Sequence, residues 1–258
     1  MVSADNQVTQ CDFDRTMELC QLAGKIMLFA GGETYRVEDT VIRIARACGM
    51  EAESFVTPTG IFITLNYGNK SHTAMTRIMY RTIDLNKVSM VNGVSRDLSV
   101  GLITPEEAQQ QLKEISIAPL TYTATINNIA AGVAGGSFAY LFGGTYLDVL
   151  AAGIIGVIVN IVLNYFLNRQ TAIFLATFIA AVHAALVAFI AVSVVEGTQV
   201  DKIIIGGIMP LLPGVALTNA VRDMIAGDLV SGLARGAEAV LIASAIAAGV
   251  IVVLALAL

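Results

Sequence analysis

Residues 208–240 read IMPLLPGVALTNAVRDMIAGDLVSGLARGAEAV, a polar stretch set between two runs of membrane-grade hydrophobicity. It holds Pro210 and Pro213, Gly214, Gly227, Gly232 and Gly236, Asn219, and the charges Arg222, Asp223, Asp228, Arg235 and Glu238. Lipid tolerates few such groups, because no water is present to satisfy freed backbone or to solvate charge. The stretch is therefore either a loop that anchors a membrane region or the part of the chain that does the work.

The rest of the sequence frames that choice. Of 258 residues, 56% are hydrophobic and the mean hydropathy is +0.74, far above an average globular domain. Charge is uneven: residues 1–116 hold eleven of fifteen Lys/Arg and fourteen of twenty Asp/Glu. This predicts a cytoplasmic α+β domain over 1–116, followed by a five-helix transmembrane bundle over 117–258. The N-terminal MVSADNQVTQCDFDRT has no basic and apolar leader pattern, so the first region is expected to stay in the cytoplasm. Cys11, Cys20 and Cys48 have no metal-ligand spacing and are expected as reduced thiols; neither a metal nor a cofactor is expected.

In the first region, Phe13, Met17, Cys20, Met27 and Leu28 recur at helical spacing until Gly31–Gly32, and Val37, Val41, Ile44, Ala45 and Cys48 mark a second amphipathic helix. GIFITLNYG alternates, with Ile61, Ile63, Leu65 and Tyr67 on one face. With SHTAMTRIMYRTI, across a turn at Asn69–Lys70, it predicts an antiparallel pair. Residues 85–100 are expected to be helical, and Thr104-Pro105-Glu106-Glu107 is a helix start with a capping box.

Five apolar segments follow, at about 121–143, 146–168, 171–194, 202–221 and 235–257, each near the roughly twenty residues a bilayer core requires. With the first region cytoplasmic, the inner loops carry Arg169, Arg222 and Arg235, while the outer connections carry Lys202 beside Asp148, Glu196 and Asp201. That bias agrees with the positive-inside rule.

Polar groups interrupt these segments. Asn160, Asn164 and Asn168 fall on one helical stripe, which serves either as interhelical glue or as a polar lining for a solute path. His183 is a candidate proton relay or a satisfied packing residue. Asn127 and Asn128 could line the same interior, whereas Gly132, Gly135 and Gly136 mark close helix packing. Pro210, Pro213 and nearby glycines predict a kinked or discontinuous fourth span, whose freed backbone can meet a solute. Beyond the break, Asn219 and Asp223 share a helix face, Arg222 is placed to pair with Asp223, and Arg235 with Glu238. The alternative is that these residues cap a cytoplasmic loop and snorkel to the interface. Prolines, glycines and paired charges together favour a site.

The run LLPGVALTNAVRDMIAGDLVSGLARGAEA resembles the signature of the threonine/serine exporter family. GKIMLFAGGETYRVEDTV and FVTPTGIFITL resemble the start of that family's cytoplasmic region, and the three motifs occur in the family's order. The resemblance carries Pro213, Gly214, Asn219, Arg222, Asp223, Gly227, Gly232 and Arg235 as the membrane signature, and Arg36 and Glu38 as the N-terminal one. Full-length members join such a region to a second, smaller membrane region, whereas this chain ends at Leu258. The resemblance thus implies one half of a split system, a transporter subunit working with a smaller membrane partner on threonine- or serine-like amino acids or on dicarboxylates such as succinate.

No P-loop motif is present, so export would draw on an ion gradient; proton antiport is the simplest coupling, with Asp223, Glu238 and His183 as candidate carriers. The sequence offers no nucleophile or metal set for an enzyme, and a net −3 over residues 1–116 (eleven basic, fourteen acidic) argues against nucleic acid. A membrane-anchored small-molecule sensor and a gated channel remain as alternatives. Polar surface inside an apolar bundle predicts an oligomer or a heteromeric complex.

Overall fold

A computed structural model describes the backbone of residues 4–257 and the side chains from Phe13 to Ala257. Cys11 lies outside the described side chains; Cys20 and Cys48 are free thiols. The chain forms two compact units, residues up to Thr121 together with Thr218–Arg235, and Tyr122–Leu217 together with Gly236 onward.

The first unit opens with α1 (Ala4–Phe29) and α2 (Thr34–Ala47), followed by β1 (Glu51–Thr57), β2 (Gly60–Tyr67) and β3 (Lys70–Arg77) in an antiparallel sheet ordered β1-β2-β3. The predicted strand pair is β2 and β3, but the turn is Gly68–Asn69 rather than Asn69–Lys70, with Lys70 already paired opposite Tyr67, and β3 ends at Arg77, short of the expected Ile83. The third strand, β1, escapes the alternation rule because most of its residues are exposed or only partly buried. On β2, Ile61, Ile63 and Leu65 are fully buried, but Tyr67 at the strand end is half exposed, meeting the core only through an edge-on contact with the Phe13 ring. Those three side chains meet Phe13, Cys20, Met27, Val37, Val41 and Ile44 in one core. Each such buried side chain contributes about 1.5–3 kcal/mol relative to exposure.

Two further helices, α3 (Leu85–Ser99) and α4 (Pro105–Ile117), complete that core through Val88, Val91 and Leu112. The expected capping box on α4 is present: Thr104 Oγ1 accepts from the Glu107 amide and the Glu107 carboxylate accepts from the Thr104 amide. Asp84 caps α3 and also accepts from the Thr121 amide (3.1 Å) and hydroxyl (2.9 Å), which pins the segment after α4 to the domain.

The second unit contains α5 (Ala124–Leu141), α6 (Tyr146–Asn168), α7 (Ile173–Val194), α8 (Val200–Ile208), the first turn of α9 (Gly214–Ala226) and most of α10 (Leu229–Ala257). Its core is built largely from small residues, with Ala180, Ala181, Ala184, Ala185 and Ala188 against Ile155, Val159 and Ile203. Helices approach closely where glycines meet. A Cβ on Gly135 would lie 2.8 Å from the Ala152 carbonyl, and one on Gly206 would lie 2.5 Å from the Gly135 carbonyl.

Three helices, α6, α7 and α10, are long and apolar enough to cross a membrane, and α8 with α9 makes a fourth if that bent pair counts as one span. The five apolar segments of the sequence correspond to α5, α6, α7, the α8–α9 pair and α10. Among these, α5 stays outside the qualifying set, with Asn127, Asn128 and its glycines diluting its hydropathy. The chain is a mostly helical, multi-pass membrane protein with a small three-stranded sheet.

Candidate functional site

The site forms around the turn between α1 and α2. Gly31 takes φ +86°, a left-handed conformation open to glycine, and ends α1 in a Schellman arrangement: the Gly32 amide donates to Met27 O (2.9 Å) and the Gly31 amide to Leu28 O (3.3 Å). This turn leaves the Gly31 and Gly32 carbonyls free to accept from elsewhere. It also starts α2 at Thr34 behind Glu33, whose own side chain does not cap the helix.

Residues of α9 and the first turns of α10 supply the partners. Asp223, fully buried, accepts from the Thr34 amide (3.0 Å) and the Thr34 hydroxyl (3.1 Å), so its carboxylate sits at the positive end of α2. The Arg235 guanidinium, also buried, places Nε 3.1 Å from Asp223 Oδ2 and donates to the Gly32 carbonyl at 2.9 Å. Asn219 Nδ2 donates to the Gly31 carbonyl at 3.0 Å. Glu33, nearly buried, binds two guanidinium groups, Arg36 Nε at 2.8 Å through Oε2 and Arg222 Nη1 through Oε1. A hydrogen bond donated to the Tyr35 side chain, with the Glu33 charge, holds the Arg36 guanidinium above its ordinary pKa.

One strand residue is held from two sides. Glu38 Oε1 accepts from the Val56 amide (2.8 Å), and Ser231 Oγ donates to the Val56 carbonyl (3.0 Å). Burial pushes the Glu38 carboxyl above its ordinary range, and the charges of Asp228 and Asp223 add to the rise. Gly232 lets α10 pack on α9: a Cβ there would lie 2.9 Å from the Ala220 carbonyl and run into Met224.

Other predicted residues lie elsewhere. Asn160 Nδ2 donates to Asn128 Oδ1 (2.7 Å), and Asn164 Nδ2 bonds back to the Asn160 carbonyl (2.8 Å). Asn164 and Asn168 are exposed, while Asn160 and Asn128 are half-buried. His183 is exposed on α7 and bonds through Nδ1 to the Ile179 carbonyl of its own helix at 2.7 Å. Pro210 sits in a single 3-10 turn, Met209–Leu211, that ends α8, and Pro213 precedes the restart at Gly214. Glu238 is half-buried on α10 in the second unit. Among the described residues, no group of three or more His, Cys, Asp or Glu could hold a metal ion.

The threonine/serine exporter family model matches residues 18–257. The chain belongs to this family. Among curated exporters, it is 27% identical over 245 residues to the "Probable threonine/serine exporter" of Mycobacterium tuberculosis, covering 92% of this chain and 45% of that protein. It is 26% identical over 243 residues to the "Threonine/serine exporter" of Corynebacterium glutamicum, covering 91% and 50%. It therefore spans about half the length of those two exporters. It is 25% identical over 241 residues to the "Probable succinate transporter subunit YjjP" of Escherichia coli (strain K12), covering 92% of each chain. No solved structure matches it.

In this exporter-family chain the N-terminal Gly-Gly motif and the Asn219-to-Arg235 part of the membrane signature, distant in sequence, form one cluster within the first unit, while Pro213 and Gly214 belong to the second. Asn219 and Asp223 do share a face. Arg222, expected beside Asp223, instead reaches Glu33, because neighbours on a helix point about 100° apart and Asp223 is turned toward Thr34 and Arg235. Glu33, Thr34 and Ser231 escaped the sequence reading. A Glu-Thr pair after a Gly-Gly helix stop signals a helix start. Its partners lie about 190 residues away, beyond any local pattern.

Proposed function

We propose that the chain is a subunit of a secondary transporter. It exports small polar metabolites, threonine- or serine-like amino acids or small dicarboxylates, across the cytoplasmic membrane, coupled to protons and acting with a smaller membrane partner. In this reading residues 1–116 form the cytoplasmic domain and 117–258 the membrane region, with the N-terminus inside, assembled as an oligomer or a heteromeric complex. The observation that carries it is the buried Asp223–Arg235 pair, held on Thr34 and Gly32, in the segment that follows the Pro210–Pro213 break. A buried ion pair is costly to maintain for stability alone, and a pair that can open beside a discontinuous helix suits alternating access.

The exporter names of the relatives support the substrate class, and the subunit name of one supports a partner. The Asn160, Asn164 and Asn168 stripe serves as polar lining, Pro210, Pro213 and Gly214 as hinge, and Asp223, Glu238 and His183 as candidate proton carriers. Arg36 and Glu38 hold the cytoplasmic side of the same cluster.

The test is efflux from cells preloaded with labelled threonine, serine or succinate, expressing the chain alone or with a candidate small membrane partner. Faster efflux of one substrate, requiring both proteins, supports the reading. No efflux from any combination, with the chain verified in the membrane, overturns it and favours a sensor.

A further inference from the structure

We propose that Arg36 and Arg222 form a carboxylate-binding fork in which Glu33 is an internal placeholder that a solute carboxylate displaces. Glu33 side-chain exposure is 8%, whereas Arg36 is 41% exposed and Arg222 56%. A nearly buried carboxylate thus holds two guanidinium groups whose outer faces are open. Arg36 gives Glu33 its Nε and Arg222 gives it one Nη1, so each keeps further donors of its planar fork for a second acceptor. In the fork itself two guanidinium groups share one carboxylate, so neither is fully matched by Glu33 alone.

The helix geometry sets the fork. Arg36 lies in the first turn of α2 and Arg222 in α9, one residue before Asp223, whose bonds to Thr34 and Arg235 fix the rotation of α9 against α2. Asp223 and Arg235 satisfy each other's charge, so Glu33 is the carboxylate that a solute can replace without stripping a fully buried partner. Guanidinium forks recognise planar carboxylates through paired N–H donors, a geometry lysine cannot copy. The ligand class is therefore a small carboxylate, either the α-carboxylate of an amino acid or one end of a dicarboxylate. Exchange of Glu33 for a solute also frees the residue preceding Thr34, which links occupancy to the turn that Asp223 and Arg235 hold.

This inference deepens the exporter reading and rests on it for the identity of the solute. The experiment is calorimetric titration of the purified full chain in nanodiscs with succinate, with threonine, and with threonine amide as the ligand lacking a carboxylate. Succinate or threonine binds and the amide does not. Arg36→Gln and Arg222→Gln each weaken binding by about tenfold or more, and Arg222→Lys weakens it because the fork is lost. Glu33→Gln tightens binding by about tenfold, a gain that misfolding cannot produce. No carboxylate binding by the wild-type chain, equal affinity in both Arg→Gln variants, or equal binding of the amide overturns the proposal. Carboxylate binding that needs both arginines, with no efflux in cells, supports the fork and sinks the exporter reading. Efflux whose concentration dependence is unchanged by Arg36→Gln and Arg222→Gln sinks the fork alone.

Discussion

Asp223 and Thr34, 189 residues apart in sequence, are joined by two hydrogen bonds, the Thr34 amide to Oδ1 at 3.0 Å and the Thr34 hydroxyl to Oδ2 at 3.1 Å. Glu33 precedes Thr34 but leaves that amide uncapped, so α2 takes its N-terminal anion from α9. The Arg235 guanidinium completes the carboxylate's environment.

Asp223→Asn keeps one acceptor for the Thr34 amide but leaves a buried guanidinium without its countercharge. The expected loss is about 3–5 kcal/mol in unfolding free energy. Pairing it with Arg235→Met is expected to recover much of that loss, because neither charge then stays buried alone. Thermal melts of the two single variants and the double variant in detergent check this; strictly additive losses would contradict the coupling.

The close approach of α5, α6 and α8 predicts a steep cost for one added methyl. Gly206→Ala is expected to destabilise by about 1–3 kcal/mol, because its Cβ would meet the Gly135 carbonyl at 2.5 Å, and backbone cannot swing aside as a flexible side chain can. Gly93→Ala, on α3 with nothing within 4 Å, is the control, expected to be neutral or slightly stabilising. Melting temperatures of the two variants decide it.

Glu38 gives a pH-dependent stability. Burial, with Asp228 and Asp223 adding, raises its folded-state value above that of the unfolded chain. Its contribution is therefore fully present below the ordinary glutamate value of about 4.3 and is lost as pH rises through the raised value. Glu38→Gln, which can still accept from the Val56 amide, is expected to melt higher than wild type at about pH 7 and equally at about pH 4. A variant that melts lower at neutral pH would show that the carboxylate charge stabilises the folded state.

Thiol labelling separates the two described cysteines. Cys20 is fully buried, and burial pushes its thiol well above the usual range, with the nearby Cys48 adding to the rise. In a Cys11→Ser background, maleimide is expected to modify half-buried Cys48 and spare Cys20 until the chain is denatured. Equal native rates would show that α1 opens readily.

Much of this architecture is legible in sequence because its signals are local. Thr104 to Glu107 announces its capping box within four residues, and Ile61, Ile63 and Leu65 announce a buried strand face by alternation. The break at Pro210 and Pro213 is local too, since proline removes a donor wherever it sits. The site was half legible. Asn219, Arg222, Asp223 and Arg235 stood out as polar groups in apolar surroundings, but their partners did not. Glu33, Thr34 and the Gly31 and Gly32 carbonyls meet them through long-range packing, and a backbone carbonyl carries no sequence mark. Strand β1 is hard to read because its inward face is Ala52, Ser54 and Val56, too small and too polar to stand out.

The most direct test of secondary transport uses proteoliposomes containing the chain and its small membrane partner, with labelled threonine or succinate equal on both sides. An imposed pH gradient is predicted to drive the substrate above equilibrium on one side, and a protonophore to abolish that accumulation. Flux that only ever relaxes toward equal concentrations, with or without the gradient, would contradict proton-coupled export and identify a gated channel.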